Sequence, residues 1–106
     1  MPMIVEKPIE SISISHISHT LTSVFAAHRV RKAVLFGSRC RGTAGISSDV
    51  DILVDSGLKG LEFVGLLEDA REALQKDIDL FDICHVEEGS LLDSEIQSTG
   101  VVIYEA

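Results

Sequence analysis

Lys32-Ala33-Val34-Leu35-Phe36-Gly37-Ser38 and, after ten intervening residues, Asp49-Val50-Asp51-Ile52-Leu53-Val54 decide how this chain is read. Residues 32–36 form a short apolar run stopped by a glycine, the pattern of a buried strand. Residues 50–54 read as a second strand, and the Gly- and Ser-rich residues up to about Ser48 read as the loop between them. Side chains on a strand alternate with period two. Asp49 and Asp51 therefore share one face, while Val50, Ile52 and Val54 share the other and point to the core.

Working outward, Ile14, Ile17, Leu21, Val24, Phe25 and His28 recur at three- and four-residue steps. That spacing predicts a helix over about residues 10–28, with Pro8 just before it. Phe63, Leu66, Leu67, Ala70 and Leu74 predict an amphipathic helix over 61–76, whose outer Glu62, Glu68, Asp69, Arg71 and Glu72 are expected only to be solvated. Ile78 to Cys84 reads as a third strand, residues 88–98 as a short helix stopped by Gly100, and Val101 to Tyr104 as a fourth strand. Alternating helices and strands give an α/β class, with helices covering a small sheet. No internal repeat is present, and 106 residues fit one domain.

The composition excludes several classes. An apolar fraction of 45% is too high for a disordered chain. No apolar run approaches the roughly 20 residues of a membrane-spanning helix, and no secretion signal is read at the start. Two cysteines make no disulfide framework, so a reduced cytoplasmic setting is expected. The net charge of −8 opposes direct nucleic-acid binding, because phosphates dominate that affinity. The charge is also uneven: residues 1–48 carry +4 and residues 49–106 carry −12. A small basic segment set directly before an acidic one suits a compact anion held with metal ions.

The chemistry concentrates in Gly37-Ser38-Arg39-Cys40-Arg41-Gly42 and Ser48-Asp49-Val50-Asp51. Gly37 lets the backbone turn sharply and approach a ligand. Ser38 and the following amides offer hydrogen bonds to an anion, and Arg39 and Arg41 add positive charge. Two carboxylates about 4 Å apart repel by roughly 4 kcal/mol at an effective dielectric near 20. Solvent at a strand end offsets that, or a hard divalent cation does. The strand Asp77-Ile78-Asp79-Leu80-Phe81-Asp82-Ile83 carries three more acids, of which one can join the site if the strands are neighbours. Asp77 and Asp82 are expected to be exposed strand ends. His16 and His19 are expected to be partly exposed helix residues, Cys40 a loop filler, Cys84 buried and Tyr104 a packed terminal aromatic.

These residues resemble the minimal nucleotidyltransferases, the MNT branch of the DNA polymerase beta-like superfamily. The pattern Gly-Ser-x-x-Arg-Gly, then Ser-Asp-x-Asp, is met by Gly37-Ser38, Arg41-Gly42 and Ser48-Asp49-Val50-Asp51, with ten residues between Ser38 and Asp49. The third acid lies in a Val/Ile-Asp-Leu context in that family, which selects Asp79. The ending from Glu95 to Tyr104 is similar as well, so the likeness spans about residue 30 to the C-terminus. It implies a nucleotidyltransferase fold with a mixed sheet of about four strands, an N-terminal helix over about 10–28 and a catalytic core over about 30–106. It implies that Gly37, Ser38 and Arg41 bind the nucleoside triphosphate, ATP. Asp49, Asp51 and Asp79 would ligate two Mg2+ ions and carry the catalysis. The reaction implied is attack of a hydroxyl on the α-phosphorus, with pyrophosphate leaving. Many relatives are antitoxins paired with a helical HEPN toxin and attach AMP to a toxin tyrosine, so a HEPN-type partner is expected. Two other readings stay open: a binding subunit that neutralises a partner by contact, and transfer to RNA or a small molecule.

Overall fold

The computed structural model describes residues 14–36 and 50–106. The order of elements is α1 (Ile14–Ala27), β1 (Lys32–Phe36), β2 (Val50–Asp55), α2 (Leu61–Leu74), β3 (Ile78–Asp82), α3 (Leu91–Thr99) and β4 (Val101–Glu105). The strands form one sheet in the order β3-β2-β1-β4. β2 and β3 run parallel, while β1 is antiparallel to both β2 and β4. The mixed four-stranded sheet is the architecture expected from the sequence. Among the described residues, no helix is long and apolar enough to cross a membrane.

One face of the sheet carries the main core. Ala33, Val50, Ile52, Val54 and Ile78 are buried there against Ile17, Leu21 and Phe25 of α1 and Leu66, Ala70 and Leu74 of α2. Both helical triplets repeat every four residues, which aligns each along one stripe of its helix. Each fully buried large apolar side chain contributes about 1.5–3 kcal/mol. The period-two reading of β2 therefore holds: Val50, Ile52 and Val54 all point inward.

α1 ends in a geometry that the apolar spacing did not reveal. Arg29 takes a left-handed conformation, φ 61°. Its amide bonds the Ala26 carbonyl, and the Val30 amide bonds the Phe25 carbonyl, both within 3.1 Å. This is a Schellman closure made without glycine, and the buried side chains of Phe25 and Val30 supply its apolar contact. Residues 10–13 of the predicted helix lie outside the described residues. α2 stops two residues earlier than its apolar pattern predicts, because Gln75 also turns left-handed, φ 60°.

β4 carries an irregularity that ties α1 to the sheet. Its register with β1 slips between Ala33 and Val34, where Tyr104 and Val102 are the partners, leaving Ile103 unmatched. The Ile103 carbonyl accepts a 2.6 Å hydrogen bond from Ser18 Oγ of α1. Tyr104 packs as expected, its ring 5.5 Å from that of Phe25.

Three expectations for the surface need correction. Asp82 is not an exposed strand end but is buried at 3% exposure. Ser56 Oγ donates to its Oδ2 at 2.5 Å, and the Cys84 amide donates to its Oδ1 at 3.1 Å. The second bond caps a 3-10 turn over Ile83–His85, which ends β3 at Asp82 and not at Cys84. Cys84 is consequently exposed, not buried. Hydrogen bonding with Asp82 and that carboxylate's negative charge push its thiol pKa up, away from the reactive thiolate. The outer face of α2 is also more than solvated: Asp69 accepts from His28 Nε2 at 2.7 Å, and Arg71 Nε donates to the Ile78 carbonyl at 3.1 Å. The last helix begins at Leu91, because the Ser90 side chain accepts from the Asp93 amide and fixes its start.

Burial raises the Asp82 carboxyl pKa, but the bonds from Ser56 and Cys84 outweigh it and hold it below the ordinary value. A depressed folded-state pKa adds stability above the unfolded value, about 3.9, that is lost as pH falls through the folded value. Ser56→Ala is expected to cost about 1.5–3 kcal/mol at pH 7, the range for a hydrogen bond to a charged group. The gap to wild type should narrow once the carboxyl is protonated. Urea unfolding at pH 7 and near pH 3 checks both; an equal gap at the two pH values contradicts the sign.

Candidate active site

The acids meet on the sheet face opposite the main core. Asp51 of β2 stands directly opposite Asp79 of β3 in the parallel register. Neighbouring strands lie about 4.8 Å apart, and residues in register project to the same side. Phe36 of β1 completes the row, opposite Asp51 on its other flank. Of the acids on β3, the register therefore singles out Asp79. Asp77 lies just before the strand, where Arg71 reaches it at 3.5 Å, and Asp82 points into the core side.

The two carboxylates differ in setting. Asp51 is 4% exposed, whereas Asp79 is open to solvent. Solvent at a strand end, one of the two explanations for adjacent acids, does not describe Asp51. Like charges side by side in register are destabilising. A hard divalent cation takes carboxylate oxygens, so the donor set fits one. Among the described residues no group of three or more His, Cys, Asp or Glu is placed to hold a metal. Asp49, predicted to act with Asp51 and Asp79, lies outside the described residues, as do Gly37, Ser38 and Arg41. The described residues that flank that segment, Phe36 and Val50, are in the Asp51 row and next to Asp51.

Sequence reading passed over the aromatic residues of this face. Phe36 is 3% exposed, and its ring meets that of Phe81 at 5.7 Å. The signal was available in part, since Phe81 follows Asp79 by two residues and so shares its face. The contact with Phe36 was not, because it depends on strand order.

The sequence profile described as Polymerase beta, Nucleotidyltransferase matches residues 19–106. The chain belongs to this nucleotidyltransferase family. A Methanocaldococcus jannaschii protein, assigned by inference as a protein adenylyltransferase, is 32% identical over 71 residues, which is 65% of this chain and 76% of the relative. The fold is similar to that of a chain in the structure of a tri-AMPylated Shewanella oneidensis HEPN toxin in complex with MNT antitoxin. There the TM-score is 0.66 at 19% identity, covering 89% of this chain and 74% of that one. A toxin–antitoxin structure with AMP-PNP gives a TM-score of 0.63 at 22% identity, covering 84% and 73%.

Proposed function

We propose that this chain transfers AMP from ATP to a hydroxyl of a partner protein, a tyrosine of a HEPN-type toxin, and acts as that toxin's antitoxin in the cytoplasm. The observation that carries the reading is the register of Asp51 and Asp79 on adjacent strands of one face, in a chain of the nucleotidyltransferase family. The relative assigned to protein adenylyl transfer and the AMPylated HEPN complex support the choice of acceptor.

In this reading Asp49, Asp51 and Asp79 hold Mg2+, which when bound neutralises triphosphate charge and polarises the α-phosphorus. Gly37, Ser38 and Arg41 hold the triphosphate in line for attack. The solvent-facing Asp79 takes the proton of the acceptor hydroxyl. The acceptor oxygen bonds to the α-phosphorus as the bond to the bridging oxygen breaks, and pyrophosphate leaves. Alignment and charge neutralisation supply the acceleration.

The test supplies ATP labelled at the α-phosphate, Mg2+ and lysate of the source cells to the wild-type chain or to its Asp49→Asn, Asp51→Asn double variant. Aspartate-dependent label on a protease-sensitive band is the expected result. Label that resists protease moves the acceptor to RNA or a small molecule. Absence of label with all four nucleotides replaces catalysis by neutralisation through contact.

A further inference from the structure

Phe36 is buried yet has no part in the main core, which lies across the sheet. Its ring and that of Phe81 are 5.7 Å apart, with planes inclined at 53°. β1 and β3 are not neighbours, since β2 lies between them. Two strand spacings put their backbones about 9.6 Å apart, so the rings meet only by leaning toward each other across β2. The register fixes where they cross. Phe36 is opposite Asp51, and Phe81 is opposite Leu53, the next residue of β2 on the same face. The ring contact therefore crosses β2 between Asp51 and Leu53, an apolar wall beside the Asp51 position on that face.

We propose that the Phe36–Phe81 pair is a positioning element of the nucleotidyl-transfer site, holding Asp51 in the orientation that shares a cation with Asp79. The inference rests on the metal reading of Asp51 given above. A carboxylate loses its polar partners if it swings against aromatic carbon, so the wall confines its oxygens to the open side of the row. On that side Asp79 stands in register. A ligand already held in its binding orientation has less freedom to lose when the cation arrives. β3 thus contributes both an acid, Asp79, and half of the wall that orients the acid of β2. Phe81 is half-buried, so its ring backs the open site from within the same face.

The test is calorimetric titration of the full chain with Mn2+ and a non-hydrolysable ATP analogue, with thermal unfolding followed on each variant. Phe81→Ala is expected to weaken binding by about 10–100-fold, as loss of a group that orients a metal ligand does. Phe81→Leu keeps apolar bulk and should stay within about threefold of wild type. Phe81→Val gives the same direction as alanine should alanine unfold the protein. Leu67→Ala loosens the helix side of the sheet, where Leu67 packs on the core, and should leave the affinity unchanged. Asp51-dependent binding that a folded Phe81→Ala or Phe81→Val variant retains in full overturns the positioning role alone, as does an equal loss in Leu67→Ala. A wild-type chain that binds no metal–nucleotide complex, or an Asp51→Asn chain that binds as wild type does, removes the metal reading and this inference with it.

Discussion

Asp51→Asn is expected to reduce nucleotidyl transfer by roughly a thousandfold or more while the protein stays folded. The amide fills the same volume in a place only 4% exposed, so packing survives. What it lacks is the negative charge and one of the two acceptor oxygens. A carboxylate shared with a catalytic cation supports several kcal/mol of transition-state stabilisation, and about 4 kcal/mol corresponds to roughly a thousandfold in rate. Stability moves little, because the variant also removes a like charge directly opposite Asp79. Opposed like charges on neighbouring strands are worth about 0.2–1 kcal/mol each way. Single-turnover transfer and urea unfolding, read together, decide the matter. An active, folded Asp51→Asn chain excludes Asp51 from the chemistry. A variant that loses both activity and fold gives the residue a structural role instead.

Legibility in the sequence followed the range of the interactions. β1 and β2 carry their own boundaries in local apolar runs, and the alternation along β2 separated Asp51 from Val50 and Ile52 without any knowledge of neighbours. The choice of Asp79 over Asp77 and Asp82 came from resemblance to a motif. In the structure, of the acids on β3, it is Asp79 that the register sets beside Asp51. Helix ends were less readable. Both α1 and α2 close on non-glycine residues in left-handed geometry, Arg29 and Gln75, and no residue preference announces that. Asp82 misled because a carboxylate in a strand is ordinarily solvated. Its two donors, Ser56 and the Cys84 amide, come from the end of the adjacent strand and from its own following turn. Such partners become visible only once the strands are paired. The Phe36–Phe81 contact shows the same limit, since it joins strands that are not adjacent.

The sheet has two faces, so stability and chemistry should separate in mutation, and Phe25→Ala is the test with the largest expected effect on stability. Phe25 is fully buried between α1 and the sheet, beside Tyr104. It also supplies the carbonyl and part of the apolar contact of the closure at Arg29 and Val30. Truncating a buried phenylalanine costs about 3–5 kcal/mol through lost transfer free energy and an unfilled cavity. Small domains carry only about 5–15 kcal/mol in total, so the midpoint of thermal unfolding should fall by roughly 15–30 °C. The acids stand across the sheet from this cavity. Below the new unfolding midpoint, the folded fraction should therefore retain transfer close to the wild-type rate per molecule. Calorimetry gives the first quantity, and transfer assayed well below the midpoint gives the second. A loss under about 1 kcal/mol would mean that α1 is not held by this residue. A collapse of transfer in protein that remains folded would mean that the two faces are coupled, with the orientation of Asp51 depending on the packing of α1 through β1.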